Sequence, residues 1–202
     1  MTSNTTSNTT SNANQDTIPL CVDLDGTLIN TDLLLESFVR VLKNSPWILL
    51  FIPFWLLRGK QTLKAKLAAR CDINIEKLPY NEALLSHLSE QKSLGRRLYL
   101  CTGSNIKFAE QISQHLNLFD GTFASDDNRN LTGSVKLKEL NDKFSSGGYD
   151  YAGNETLDLK IWREARRALV INGSKVLKQK AEKLTTIDLF QEKKPASLKL
   201  FL

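Results

Sequence analysis

Short apolar runs alternate with longer amphipathic segments along most of the chain. Six of the runs have strand length, are rich in aliphatic or aromatic residues, and end in polar or glycine-containing turns, which is typical of buried strands. They are Ile18–Asp23, Arg97–Cys101, Gly121–Ala124, Tyr149–Ala152, Ala168–Ile171 and Thr185–Leu189. The alternation predicts an α/β fold in which helices flank a parallel sheet.

Two segments between or after these runs have helical periodicity. Asn105–Leu116 repeats apolar residues on one face, and Ser104 is its candidate N-cap. Thr156–Arg166 gathers basic residues at its C-terminal end, where they suit the helix dipole.

The first two predicted strands are separated by about seventy residues, far more than a βαβ crossover needs. The intervening segment has helical patterns at Leu33–Leu42, Trp47–Leu57, Thr62–Ala69 and Asn81–Gln91. We interpret residues 30–92 as a helical cap inserted into an α/β core made of residues 17–29 and 93–192. A cap placed over the end of the first strand could act as a lid.

The apolar run 46–57 within this cap has two interpretations. It is too short to span a bilayer, which takes about twenty apolar residues. It could form the buried core of the cap. It could instead contact membrane lipid, because it has a tryptophan near each end and basic residues on both sides.

Composition and charge narrow the class of protein. With 41% hydrophobic and 24% charged residues, the chain is typical of a globular protein. The net charge of +5 is mild, and much of the excess lies in the last third, interleaved with acids. This predicts a solvated helix face or attraction to anionic lipid. No interleaving of aromatic and basic residues favours a nucleic-acid partner.

The termini and cysteines bear on localisation. Residues 1–16 are polar and lack the basic start and apolar core of a signal peptide, so we expect a disordered tail. Residues 193–202 are expected to be a tail or linker. Cys21 and Cys101 lie in apolar runs and are expected to be buried in a reducing compartment. We therefore expect a cytoplasmic protein, with a peripheral position at the inner face of the membrane as the alternative.

Asp23 and Asp25 are the most informative residues. They end an apolar run and precede the turn-forming Gly26, which places both acids at the C-terminal tip of a strand, where open α/β sheets hold ligands. Residues i and i+2 face the same way, so the two charges require a cation between them or a shared proton. A magnesium ion with a nucleophile and an acid would satisfy both conditions; a polar turn is the simpler alternative.

Three other segments contain candidate catalytic or binding residues. Thr102, followed by Gly103 and Ser104, offers a hydroxyl and backbone N–H groups to an anion. Lys136 opens a helical stretch, and a solvated lysine is its simpler interpretation.

Asn154 and Asp158 are oxygen donors suited to a hard cation, although helix starts commonly have such residues. All of these positions follow predicted strands, whose ends a parallel sheet brings together. The combined set is the one that phosphoryl transfer needs.

This ordered set resembles the motifs of the haloacid dehalogenase (HAD) superfamily of phosphohydrolases, and the long cap resembles that of its phosphoserine-phosphatase-like branch. The resemblance implies a Rossmann-like sheet. The matching segments are Asp23–Thr27, Thr102, Lys136 and Gly153–Asp158.

The resemblance also implies roles for individual residues in a phosphatase. Asp23 is expected to attack phosphorus and form an aspartyl-phosphate, and Asp25 to act as acid and then base. Lys136 is expected to offset the clustered negative charge. The phosphoryl group is expected to contact Gly26, Thr27, Thr102, Gly103 and Ser104.

Mg²⁺ is the implied cofactor, held by Asp23, the Asp25 backbone carbonyl and Asn154, with Asp158 behind them. Many superfamily members have Asp at the position of Asn154. An amide oxygen neutralises none of the metal's charge, so we expect weaker metal affinity.

A more detailed resemblance is to the N-terminal domain fused to UbiA-type membrane prenyltransferases. It implies a phosphorylated small-molecule or lipid-linked substrate, or a non-catalytic role as partner of a membrane prenyltransferase. The chain is expected to end about where such a membrane domain would begin. The segments that carry the resemblance are Pro53–Lys60, Leu78–Asn81, Leu118–Asp120, Asn130–Gly133, Tyr151–Asn154 and Asp158–Trp162.

Overall fold

The computed structural model describes residues 18–193. The predicted tail at residues 1–16, and all but the first residue of the one at 193–202, lie outside this range.

Six parallel strands form one sheet in the order β3-β2-β1-β4-β5-β6. The predicted Rossmann-like α/β fold is therefore confirmed. Each predicted strand is present, and β2 continues past its predicted end, with a register irregularity between Cys101 and Asn105. The strands are β1 (Leu20–Val22), β2 (Leu98–Asn105), β3 (Gly121–Ser125), β4 (Asp150–Gly153), β5 (Arg167–Gly173) and β6 (Thr186–Glu192).

Within the described residues, eight α-helices flank or cap this sheet, and the first four fall almost wholly within the predicted cap segment. They are α1 (Leu33–Asn44), α2 (Ile52–Leu57), α3 (Lys60–Ala68), α4 (Glu82–Ser93), α5 (Ile106–Leu116), α6 (Ser134–Phe144), α7 (Leu159–Glu164) and α8 (Lys175–Glu182).

Three local predictions about helices are wrong. Residues 47–57 do not form one helix: a 3₁₀ turn at Pro46–Leu50 precedes α2, because the ring of Pro53 cannot continue a preceding helix. Residues 156–158 form a 3₁₀ turn before α7. The N-cap of α5 is Asn105 and not Ser104, since β2 runs through Ser104 and only then gives way to the helix.

The core lies on both faces of the sheet. In β1, Leu20 and Val22 pack with the cap and with α4 and α5 on one face. Cys21 packs on the other face with an aromatic group that includes Tyr149 and Trp162. Cys21 and Cys101 are free and have no exposed surface, which confirms the prediction that they are buried.

The apolar run in the cap is mostly exposed, so its interpretation as buried core is wrong. Only Ile48 and Trp55 are buried, whereas Leu50 and Leu57 expose 72% and 85% of their surface. The 3₁₀ turn at Pro46–Leu50 and α2 are too short to bury the side chains on all of their faces. Within residues 18–193, no helix is both long and apolar enough to cross a membrane.

A buried ion cluster joins the strands at the N-terminal edge of the sheet. Asp150 has no exposed surface and accepts hydrogen bonds from Arg96 and from Arg166, whose Nε and Nη2 lie 2.9 and 2.7 Å from its two oxygens. Arg96 Nε also donates to the carbonyl of Ile18 at 2.9 Å. The cluster links the starts of β1, β2, β4 and β5.

Replacing Asp150 by Asn should lower the free energy of unfolding by about 3–5 kcal/mol, because two guanidinium groups lose their buried counter-charge. Urea denaturation measures the change. Asp188→Asn is the matched control: Asp188 pairs with Arg167 at 3.1 Å near solvent, so its loss should be below about 1 kcal/mol. Equal losses from both variants would contradict a structural role for the cluster.

Candidate active site

The predicted site residues converge at the C-terminal edge of the sheet. The strand order reverses between β1 and β4, and open α/β sheets bind ligands outside the strand ends at such a point. Asp23 follows β1 directly, Asn154 follows β4, and Thr102 lies in the last half of β2. The side-chain contacts described below connect these elements.

Lys136 joins α6 to the first aspartate. Its Nζ donates to Asp23 Oδ1 at 2.7 Å and to the Tyr151 hydroxyl at 2.9 Å, and only 5% of its surface is exposed. Burial alone lowers the pKa of Lys136, but the carboxylates of Asp23 and Asp158 outweigh it and raise the pKa above its ordinary value. The ammonium group therefore stays charged beside Asp23 and leaves the other carboxylate oxygen available.

Asp25 is held by groups from the cap and from β2. Its Oδ1 accepts from the backbone N–H of Leu33 at 2.8 Å, and its Oδ2 accepts from Ser104 Oγ at 2.6 Å. Thr102 Oγ1 lies farther from Oδ2, at 3.5 Å. Burial raises the pKa of Asp25 to about 6, with a smaller contribution from Asp23, although the two close hydrogen bonds lower it. A carboxyl group with this pKa can both give and take a proton near neutral pH.

Asp158 fixes the loop after β4. Its Oδ2 accepts from the backbone N–H groups of Asn154 and Glu155 at 2.9 and 2.8 Å, and its Oδ1 accepts from the Tyr151 hydroxyl at 3.2 Å. Burial, followed by the charge of Asp23, raises the pKa of Asp158 to about 6. Because the protein already engages both oxygens, Asp158 is placed to support the loop behind Asn154.

Asn154 packs against the turn that follows β1. Its Oδ1 accepts from Thr27 Oγ1 at 3.1 Å. A Cβ on Gly26 would overlap the Asn154 amide, and Gly26 also has a φ of +73°, so both space and backbone favour glycine. The Thr27 side chain has no exposed surface and supports Asn154, and its predicted contact with substrate stays a prediction.

In the segment after Cys101, predicted to bind an anion, some of the polar groups are bonded within the protein. The backbone N–H of Ser104 donates to Thr102 Oγ1 at 2.9 Å, so the protein itself takes up this predicted phosphate donor. Neither Thr102 nor Ser104 is more than 5% exposed. Because β2 runs through Ser104, and residues i and i+2 of a strand face the same way, both hydroxyls point towards Asp25. Gly103 is partly exposed, and its carbonyl accepts from Lys64 and Ser125.

Three residues that sequence reasoning missed also contribute. Lys64 of α3 reaches from the cap and donates to the Gly103 carbonyl at 2.6 Å; burial lowers the pKa of Lys64, although Asp25 and Asp32 act in the opposite direction. Tyr151 links Lys136 to Asp158. Asn172 holds the Gly26 carbonyl at 2.9 Å. Asn172 lies at the end of a predicted strand, which could have identified it, whereas the sequence gives no signal for Lys64.

The donor set suits a hard divalent cation. Asp23 pairs with the buried ammonium group of Lys136, and the charge of Asp23 contributes to the raised pKa values of Asp25 and Asp158. Asp23 and Asn154 have side-chain oxygens of the kind that Mg²⁺ prefers. Within residues 18–193, no three His, Cys, Asp or Glu side chains are grouped so that they could hold a metal by themselves, so a cation here would also require other oxygen donors.

The sequence is similar to that of a longer, uncharacterized protein. No family model matches the chain. A curated relative, the uncharacterized protein y4nM of Sinorhizobium fredii, is 38% identical over 155 residues. The match covers 76% of this chain and 30% of that protein, so the chain spans less than a third of the curated relative it matches.

Solved structures of HAD hydrolases share the architecture. A HAD family hydrolase from Salmonella enterica has a TM-score of 0.58 at 17% identity, covering 81% of this chain and 66% of its own. A substrate-bound phosphoserine phosphatase has a TM-score of 0.58 at 14% identity, covering 87% and 93%. A haloacid dehalogenase-like protein from Streptococcus pneumoniae has a TM-score of 0.57 at 16% identity, covering 83% and 92%. At these identities the likeness establishes the HAD-type fold.

Lys136→Met should destabilise the protein by about 3 kcal/mol at pH 8, because Asp23 and Asp158 lose their buried counter-charge. The loss should shrink at pH 5. The charge of Lys136 lowers the pKa of Asp158, so the pKa of Asp158 rises further when Lys136 is replaced. A carboxyl group whose pKa is raised on folding stabilises the fold at low pH, and this stabilisation is lost as the pH rises.

Urea denaturation in a metal chelator at both pH values measures this difference. Lys138→Met is the control, since Lys138 is two residues away and its side chain is 75% exposed. It should cause no pH-dependent change. A loss for Lys136→Met that is equal at the two pH values would contradict the charge-balance explanation.

Proposed function

We propose that the protein is a magnesium-dependent phosphatase that hydrolyses phosphate monoesters through an aspartyl-phosphate intermediate. The observation that carries the proposal is the pairing of Asp23, held through one oxygen by Lys136, with Asp25, whose pKa is raised to about 6. One carboxylate is thereby prepared for attack and the other for proton transfer. In support, a phosphoserine phosphatase of the same fold, with a TM-score of 0.55, carries a phospho-aspartyl intermediate analogue.

In the first step, the free Asp23 oxygen attacks phosphorus, and the bond to the leaving oxygen breaks. Asp25 gives its proton to the departing alkoxide. Lys136 keeps the attacking carboxylate in position and offsets the negative charge that gathers around phosphorus.

In the second step, water attacks the phosphorus of the aspartyl-phosphate. Asp25 accepts a proton from that water, phosphate is released, and Asp23 returns to its carboxylate form. Ser104 and the Leu33 N–H keep Asp25 oriented through both steps. Asp23, the Asp25 carbonyl and Asn154 would hold Mg²⁺, which supplies charge neutralisation for the phosphoryl oxygens.

The test is hydrolysis of an aryl phosphate with Mg²⁺. Wild-type protein should release phosphate and lose this activity in a metal chelator, and Asp23→Asn should fall to background. Asp25→Asn should lose about a hundredfold or more, because the proton donor is gone. Lys138→Met, outside the site, should keep full activity. Equal background from wild type and Asp23→Asn would overturn the proposal.

We further propose that the substrate phosphate is attached to a prenyl-linked or otherwise lipid-linked sugar. The exposed apolar residues of the cap support a lipid-attached substrate, since Leu50, Phe54 and Leu57 offer surface that a small soluble phosphate does not need.

Comparison of kcat/KM for a detergent-dispersed prenyl sugar phosphate and for phosphoserine tests this substrate class. A higher value for the lipid-linked compound is expected, because its chain adds apolar contacts. A preference for phosphoserine would contradict the lipid-linked assignment and leave the phosphatase proposal intact.

A second candidate function is a weakly active or non-catalytic partner domain of a UbiA-type membrane prenyltransferase. Two observations favour it: Asn154 offers a neutral oxygen at the proposed metal site, and the curated relative y4nM is far longer than the matched region. The same assay separates the candidates. A wild type as inactive as Asp23→Asn, together with binding to a detergent-solubilised prenyltransferase, would favour the partner role.

A further inference from the structure

The cap carries a continuous stretch of exposed apolar side chains that take no part in the proposed bond-breaking steps. We define the apolar cap face as Trp47, Leu49, Leu50, Phe51, Phe54 and Leu57, which lie in the 3₁₀ turn 46–50, at the following Phe51, and in α2. Each exposes at least 45% of its surface, and Phe54 exposes 65%. Large apolar residues clustered in this way on a surface mark an interaction site.

Aromatic contacts give this face a fixed shape. The rings of Trp47 and Phe51 meet edge to face with centroids 5.8 Å apart, and Phe51 stacks on Trp55 at 6.3 Å. Trp55 is buried, and the guanidinium of Arg70 lies 5.2 Å from its ring centroid. Trp47 and Phe51 are therefore anchored to the cap through Trp55.

The chain segment that carries the apolar cap face has charges of one sign. From Arg40 to Arg70 the chain has seven basic residues and no acidic residue. Of these, Lys64 points to the core and donates to Gly103. Lys43, Arg58, Lys60 and Lys66 are exposed, and within residues 18–193 they form no ion pair.

Exposed apolar side chains together with basic residues favour a partner that has negative charge at its surface and an apolar interior. A second copy of the chain would bring two basic surroundings together, which repel each other. The interface of an anionic bilayer matches both features: headgroups pair with the basic residues, and the acyl boundary accepts tryptophan, leucine and phenylalanine side chains. The short segments suit insertion in the plane of the interface and not a span.

We propose that the apolar cap face docks on the surface of membranes that contain anionic lipid. Trp47, Leu50, Phe54 and Leu57 enter the headgroup boundary, while Arg58 and Lys66 contact lipid phosphates. This inference goes beyond the phosphatase proposal, because it concerns where the protein binds and not which bond it breaks.

The first experiment is flotation of the protein with lipid vesicles. The protein should float with vesicles of equal parts phosphatidylcholine and phosphatidylglycerol, and less with phosphatidylcholine alone. Added salt should weaken the binding, because it screens the basic residues. Absence of binding to the phosphatidylglycerol vesicles would overturn the proposal.

Two sets of variants locate the contact. Leu50→Ser with Phe54→Ser should reduce vesicle partitioning by about tenfold or more, because apolar burial drives insertion. Arg58→Gln with Lys66→Gln should reduce it only on anionic vesicles. The matched controls are Val176→Ser, 61% exposed on α8, and Lys138→Gln, 75% exposed on α6, and both should bind as wild type does. Equal binding by wild type and the Leu50/Phe54 variant would overturn the proposal.

Trp47 gives a local readout, since it is 59% exposed while Trp55 and Trp162 are buried. Its fluorescence should shift to shorter wavelength on vesicle binding, and Trp47→Phe should remove the shift. Light scattering tests the other occupant: a dimer that the Leu50/Phe54 variant abolishes, without vesicle binding, would assign the face to self-association.

Hydrolysis of the soluble aryl phosphate is measured for the same variants and should be unchanged, because none of these residues contacts Asp23 or Asp25 and this substrate has no lipid chain. A wild type that hydrolyses the aryl phosphate but binds no vesicles rejects the docking alone. Absence of activity with intact vesicle binding rejects the phosphatase alone. Thermal unfolding by circular dichroism confirms that each variant is folded.

Discussion

The site depends on one contact, the ion pair between Lys136 and Asp23. Three carboxylates lie at the C-terminal edge of the sheet, and without a buried cation their charges could not coexist at neutral pH. Lys136 bonds to Asp23 and, through the Tyr151 hydroxyl, is linked to Asp158. Asp158 in turn sets the backbone of Asn154. A single ammonium group thus connects the nucleophile candidate to the loop that would hold a metal.

Buried charge is balanced at one edge of the sheet and unbalanced at the other. At the N-terminal edge, Asp150 is matched by two arginines and is closed to solvent. At the C-terminal edge, negative charge exceeds the positive charge nearby, and Asp23 and Asp25 keep contact with solvent. A fully paired edge can hold the strands in register, whereas an unbalanced edge retains the capacity to bind a cation and react.

The cap contributes to the site from one side and presents a different surface on another. The backbone N–H of Leu33 donates to Asp25, and Lys64 donates to the Gly103 carbonyl of β2, so the cap forms part of the site. The apolar cap face carries no group that contacts the aspartates. In the proposed arrangement, attachment to a membrane and the chemistry of the aspartates can therefore vary independently.

The sequence by itself determined the strands, the helical insertion and the candidate residues at the strand ends. These features depend on local periodicity and on the rule that parallel strands share one edge, as the convergence of Asp23, Lys136 and Asn154 illustrates. Such patterns do not identify which long-range partner a side chain will meet. Only the tertiary structure placed Thr27 behind Asn154 and turned Ser104 towards Asp25. It also decided that the run 46–57 is exposed, because an apolar segment is buried only where another element covers it, and coverage depends on how distant parts of the chain pack.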